Sequence, residues 1–248
     1  MIMQDALRGF LDAIYPPICL LCGRLSHGLF PHCCLDCFDL FEPVGVQCCE
    51  LCGKPFQVSQ VPHLCLACIK GRPPFRWCRG VYLYRGAMAE ALSKFKYGGL
   101  IGLLAPLEEA LAMGIRSLHP FPEMDLLIPV PLSLNGRWKR GFNQSYVLAA
   151  SVARQLGVEV QTDALRKKGN RTQVGLSARE RSRNAAVSFV SGRAIDLVRG
   201  QRVLLFDDVY TTGSTVRACA RILCSAGATV SVLTFARAVS PVGVGLSD

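Results

Sequence analysis

VLLFDDVYTTGST, residues 203–215, joins a buried-looking apolar run to two adjacent acids and a hydroxyl-rich loop around a single glycine. With its flanking residues, QRVLLFDD (201–208) reads as a strand ending on the two acids. Val216, Ala220 and Leu223 recur at helical spacing, so Ser214 to about Ala226 reads as a helix. Backbone N–H groups at a helix start, with the helix dipole behind them, form a phosphate site. Thr211, Thr212, Ser214 and Thr215 can each add a hydrogen bond, and Gly213 lets the backbone come close. Asp207 and Asp208 stand within reach of ribose hydroxyls and a Mg²⁺ ion. Two neighbouring carboxylates at a strand end are costly unless a ligand or cation offsets their repulsion. The loop is neither GxxxxGK[ST] nor GxGxxG, which excludes the two commonest nucleotide loops.

The same alternation extends to either side. GVYLYR reads as a strand, AMAEALSKFKYGG as a helix stopping at Gly98 and Gly99, and IGLLAPLEEALAMGIRS as a second helix. DLLIPVP is an apolar strand stopped by prolines. A basic loop, LNGRWKRGFNQS, precedes a helix through about Gln155. VEVQTDAL reads as a short strand, and RKKGNRTQVGLSARERSRN as a long basic loop outside the core. ATVSVLTFA is the last strand. Strands alternating with helices predict a mostly parallel α/β sheet. Ligands of such sheets bind at the carboxyl ends of the strands, where Asp207 and Asp208 fall.

The front of the chain is built differently. Eleven of the thirteen cysteines precede residue 80, and eight form CxxC pairs: Cys19/Cys22, Cys34/Cys37, Cys49/Cys52 and Cys65/Cys68. CLLCG and CELCG lie 30 residues apart, and CLDC and CLAC lie 31 apart, so a small unit is repeated. Two thiolates on a tight knuckle can face one Zn²⁺, and a second CxxC completes a tetrahedral Cys₄ site. Units this small fold largely on their metal, so chelation is expected to unfold them ahead of the rest of the chain. Disulfides or a redox CxxC are the weaker alternative, since no thioredoxin-like βαβ context surrounds any pair. The repeat favours sequential sites, Cys19/Cys22/Cys34/Cys37 and Cys49/Cys52/Cys65/Cys68, although interleaved sites fit the spacing too. Cys33, Cys48, Cys78, Cys219 and Cys224 read as non-ligands, and His32 and His63 as surface histidines.

The chain has 248 residues, half of them hydrophobic, enough for one medium and one small domain. No apolar run approaches the length of a membrane helix. MIMQDALRGFLDAIYPP reads as a short amphipathic helix broken by charges, not a signal peptide. A cytoplasmic location is expected. The net charge is +10 and unevenly placed: residues 1–80 carry seven basic and six acidic residues, residues 135–184 eleven and three. That excess calls for an anionic partner, polyphosphate or nucleic acid, with a solvated basic face as the alternative. The Pro-rich KGRPPFRW suggests a boundary, giving residues 1–74, 75–238 and a tail at 239–248.

The chain resembles the ComF family of competence-associated, phosphoribosyltransferase-like proteins. The carrying features, in order, are the CxxCG repeats, FKYGG at 95–99, IPVPLSLNGRWKRGFNQS at 128–145, QVGLSARERSRN at 173–184 and VLLFDDVYTTGST. The last resembles the phosphoribosyl-pyrophosphate (PRPP) motif of type I phosphoribosyltransferases, except that Tyr210 replaces a commoner aliphatic residue. Tyr210 is expected to point along the loop. The resemblance implies a type I phosphoribosyltransferase-like sheet flanked by helices, preceded by a double zinc ribbon. It implies two Zn²⁺ sites, and PRPP with Mg²⁺. Asp207 and Asp208 would hold the ribose, and Thr211, Thr212, Gly213, Ser214 and Thr215 the 5-phosphate. The turn at Val130 and Pro131, with Arg137, Lys139 and Arg140, would meet pyrophosphate. A flap around Arg171, Gln173, Arg179 and Arg181 would close over the site. Arg137, Lys139 and Arg140 suit nucleic-acid phosphates equally. The family link implies single-stranded DNA and other competence proteins, such as a DNA-uptake helicase, as partners. Trp138 and Phe142 suit contact with single strands. No segment reads as a hood for a nucleobase, so turnover stays open, with nucleobase salvage as the alternative function.

Overall fold

The computed structural model describes residues 16–26, 32–56, 63–118, 121–131, 144–168 and 188–239. The N-terminal helix expected before Pro16 and most of the tail lie outside these residues.

In chain order the elements are α1 (Leu35–Asp39), α2 (Leu66–Lys70), β1 (Cys78–Leu83), α3 (Gly86–Tyr97), α4 (Leu104–Ser117), β2 (Leu126–Pro129) and α5 (Gln144–Leu156). They continue with β3 (Glu159–Val160), β4 (Leu165–Lys167), β5 (Phe189–Ser191), β6 (Arg202–Tyr210), α6 (Ser214–Ser225) and β7 (Thr229–Arg237). Five strands form a parallel sheet in the order β1-β7-β6-β2-β3. The Val203–Phe206 run of β6 is uniformly apolar because both faces of the strand are covered there. Leu204 and Phe206 pack with Leu127, Phe235 and the buried residues of α3, α4 and α5. Val203 and Leu205 pack on the other face with Ile128, Val232 and Val216, Cys219 and Leu223 of α6. The mostly parallel α/β sheet expected from the sequence is thus present, with helices on both faces.

Two elements differ from the sequence reading. The sequence expects one strand over VEVQTDAL and a loop from Arg166, but the segment divides between two sheets. Gln161 N–H bonds Leu127 O at 2.9 Å, and the Gln161 side chain then accepts from Asp163 N–H at 2.9 Å. That local bond turns the chain away from the main sheet. Leu165–Lys167 instead pairs antiparallel with Phe189–Ser191, and Leu165 and Phe189 are buried beside α6. Basic residues Arg166 and Lys167 are therefore strand, and the loop between the two strands, 169–187, lies outside the described residues. Secondly, β6 runs two residues past the expected strand QRVLLFDD, through Tyr210, so the loop shrinks to Thr211–Gly213.

The cysteine-rich front repeats as the spacing suggests. Gly23 N–H returns to Cys19 O at 2.9 Å, and Gly53 N–H to Cys49 O at 2.8 Å. Each knuckle is followed by a five-residue helix that starts directly after Cys34 or Cys65. These units do not stand apart from the sheet. Cys19, Cys37, Phe38 and Phe41 belong to the same apolar cluster as Met88, Leu92 and Leu103. Residues 42–44 cover the outer edge of β1: Val44 N–H bonds Val81 O at 3.0 Å, and Leu83 N–H bonds Glu42 O at 2.7 Å. Covered over that stretch, the edge is less open to another strand.

Candidate phosphate site and metal centres

Strand β6 carries the carboxylates to the carboxyl end of the sheet. Asp207 lies opposite Thr234 of β7, and Phe206 opposite Pro129 of β2. Val130 N–H bonds Phe206 O at 2.8 Å, which sets Val130 and Pro131 beside the aspartates at the same sheet end. Asp207 is buried and accepts from Asp208 N–H at 2.9 Å. Burial, together with the Asp208 charge, pushes its carboxyl up to about 8. Asp208 meets Lys96 Nζ at 2.8 Å, and both side chains are mostly covered. Lys96 is the penultimate residue of α3, in the FKYGG segment. The sequence marked that segment as a family feature but gave Lys96 no role; a lysine in the last turn of an apolar helix was the available signal.

Beyond Tyr210 the chain turns through exposed Thr211 and Thr212 to Gly213, whose φ of +74° favours glycine. A Cβ on Gly213 would sit 2.1 Å from Tyr210 Oη, so a side chain there is disfavoured twice over and would press on Tyr210. Ser214 starts α6 with no side-chain cap on the helix. The Ser214 N–H makes a long bond to Thr212 Oγ1 at 3.4 Å, and a phosphate at this helix start would compete for it. Thr212 Oγ1 and Ser214 Oγ lie 3.0 Å apart at the mouth of the loop, and Thr215 follows in the first turn.

Tyr210 departs from the sequence expectation. Val209 packs with Phe206 and Phe235, out of step with the alternation of β6, so Tyr210 falls on the α6 face. Its ring is buried beneath the loop instead of running along it, and the Arg237 guanidinium lies 4.1 Å from the ring centre. Arg237 was not singled out by the sequence, where it is one arginine after an apolar strand.

Arg140 and Arg179, with Arg137, Trp138, Lys139, Phe142, Arg171, Gln173 and Arg181, lie outside the described residues. The sheet end therefore gathers Asp207, Asp208, Val130, Pro131 and the loop Thr211–Thr215, while the proposed pyrophosphate and flap arginines have no described position.

The eight CxxC cysteines gather into two sequential sets. The sulfurs of Cys19, Cys22, Cys34 and Cys37 lie within 4.8 Å of one another, as do those of Cys49, Cys52, Cys65 and Cys68. Cys22 and Cys34 sulfurs are 3.7 Å apart, and those of Cys52 and Cys65 3.6 Å. Four sulfurs ~2.3 Å from a tetrahedral Zn²⁺ have edges of about 3.8 Å, so the donor sets fit zinc. Burial works against ionising Cys19 and Cys49, yet backbone N–H donors hold each down at about 6. Cys33 is the contrast: burial pushes its thiol up to about 12, and it joins neither cluster. Cys48, Cys78, Cys219 and Cys224 also stay outside both sets, as do His32 and His63. His63 stacks on Phe56 with ring centres 4.0 Å apart.

Residues 143–241 match the phosphoribosyl transferase domain, and residues 10–73 the double zinc ribbon domain. These two matches, on this sheet and these cysteine clusters, define a double-zinc-ribbon protein with a phosphoribosyltransferase-type domain. DNA utilization protein YhgH of Shigella flexneri is 32% identical over 195 residues, 76% of this chain and 83% of its own. Competence protein ComFC of Bacillus subtilis (strain 168) is 30% identical over 190 residues, 75% of each chain. The chain belongs to this ComFC/YhgH family. Among solved structures, an adenine phosphoribosyltransferase superposes with a TM-score of 0.39 at 17% identity, over 58% of this chain and 74% of its own. Among the described residues, no helix is long and apolar enough to cross a membrane.

Proposed function

We propose that this protein binds PRPP with Mg²⁺ at the carboxyl end of β6 and handles single-stranded DNA during DNA uptake or use. The aspartate pair, Asp207 buried and Asp208 mostly covered, beside the hydroxyl-rich start of α6 carries the reading. A carboxyl held at about 8 needs a cation to be useful as an anion, and a Mg²⁺-bound sugar phosphate brings one. In this reading Asp207 and Asp208 accept from the ribose hydroxyls, and Thr211 to Thr215 donate to the 5-phosphate. The turn at Val130 and Pro131 faces the pyrophosphate, and the basic segments around Arg140 and Arg179 neutralise it. The names of the family relatives point to DNA, and the charge of residues 135–184 suits a phosphate backbone.

Calorimetric titration with PRPP and Mg²⁺ tests the ligand. The Asp207→Asn, Asp208→Asn double variant is expected to lose binding while keeping two zinc ions per chain. Unchanged affinity refutes the site. Binding of an oligodeoxynucleotide is expected to weaken steeply with added salt. Turnover of PRPP with a free nucleobase, without salt-sensitive DNA binding, would replace this reading with base salvage.

A further inference from the structure

We propose that Arg237 couples the second four-cysteine cluster to the phosphate loop, so that the state of the cluster tunes the loop's grip on a phosphorylated ligand. The ligand half of this statement rests on the function proposed above; the coupling itself does not.

Three contacts make the link. Arg237 is the last residue of β7, buried, with Nη1 donating to Cys52 O at 2.5 Å and Nη2 lying 3.8 Å from Cys52 Sγ. Its guanidinium covers the Tyr210 ring at 4.1 Å. Tyr210 Oη lies directly below Gly213, at the start of α6. A zinc ion held by four thiolates has a net charge of about −2, and N–H donors to the sulfurs steady such a centre. A buried guanidinium beside Cys52 is suited to both tasks.

Arg237 has no freedom to make these contacts differently. Its carbonyl accepts from Tyr84 N–H at 2.7 Å, and Tyr210 is its register partner. Among the described residues its Nε finds no partner, so its hydrogen bonds run towards the second ribbon. If the ribbon opens, the guanidinium loses its acceptors and is left buried beside a ring. It must then shift, and the Tyr210 ring that shares its space shifts with it. The loop above has no slack, because the hydroxyl already occupies the place a side chain would take at Gly213. Coupling of this kind is reciprocal: whatever distorts the loop must also loosen the cluster.

The test follows zinc release from the intact protein with a chromogenic chelator, where two phases report the two clusters. Arg237→Leu and Tyr210→Phe are the direct variants. Gly213→Ala presses on Tyr210 from the ligand side. Gly200→Ala is the control, since Gly200 also has a positive φ (+75°) but nothing within 4 Å of an added Cβ. The inference expects Arg237→Leu and Gly213→Ala to speed release of one zinc by at least tenfold and leave the other unchanged. Tyr210→Phe should act more weakly, and Gly200→Ala not at all. Saturating PRPP should slow the same phase in the wild-type chain. Should Arg237→Leu fail to fold, Tyr210→Phe and Gly213→Ala decide. Wild-type release from all variants overturns the coupling. Altered release in a protein that binds no PRPP keeps the coupling and removes the ligand assignment.

Discussion

Replacing Asp207 with asparagine should make the ligand-free protein more stable, and increasingly so as pH rises. In the folded chain the carboxyl titrates at about 8 against an ordinary 3.8, raised first by burial and then by the Asp208 charge. Between those values the folded state keeps a proton that the unfolded state has released. Stability therefore falls as pH rises through this window and is not penalised below its lower end. Each pH unit is worth about 1.4 kcal/mol, so the penalty reaches at most about 4 kcal/mol at pH 7. Asparagine has nearly the same shape and cannot ionise, so the variant escapes the penalty. Denaturation of both chains, zinc-loaded and without PRPP or Mg²⁺, should give a stability gap that widens by about 3 kcal/mol from pH 5.5 to pH 8, roughly 6–12 °C in Tm. Both chains carry the same cysteines, so pH effects on metal retention cancel in the difference. A gap that stays constant with pH, or a variant less stable than its parent at pH 8, would refute the reasoning. The same substitution should abolish PRPP binding, so gain of stability and loss of ligand would come from one carboxylate.

Lys96→Met leaves Asp208 without its cation and should cost about 3 kcal/mol at pH 7. The cost should largely vanish in an Asp208→Asn background, which a double-mutant cycle by urea denaturation would read. Phe206→Ala empties a fully buried position in the central strand and should cost about 3–5 kcal/mol with zinc content unchanged at two; a loss under 1 kcal/mol would contradict the packing. Chelation should lower a single thermal transition of the whole chain, because Cys19, Cys37 and Phe38 share a cluster with α3 and α4. A biphasic melt whose upper phase matches the untreated protein would restore the expectation of an independently unfolding ribbon.

The readable parts of this chain were those with a strong local period or a fixed chemical spacing. The apolar run Val203–Phe206 is uniform because both faces of its strand are covered, and that uniformity is visible without a structure. The cysteine repeat is legible because thiolates around one ion tolerate few spacings. What stayed hidden depends on residues distant in sequence. Lys96 meets Asp208 across 112 positions, and nothing local distinguishes it from Lys94, which reaches Leu20 O instead. Arg237 and Cys52 are 185 positions apart. Tyr210 looked like a loop residue because strand alternation does not reveal where a strand falls out of step. The turn at Gln161–Asp163 escaped notice because a single side-chain bond directs it, in a stretch whose composition suits a strand.

The placement of β1 has a consequence for how the chain is made. Among the described residues its partner strand in the sheet is β7, which begins at Thr229, whereas β1 ends at Leu83. At typical rates of synthesis that interval lasts roughly 7–30 s. During it the first ribbon, α3 and α4 are already made and can pack on β1, but the edge of β1 that pairs β7 stays open. Early capture of metal by the clusters would hold the nascent segment in shape until its partner strand arrives. A cell short of zinc would then lose this protein during synthesis, before any finished molecule had a site to empty.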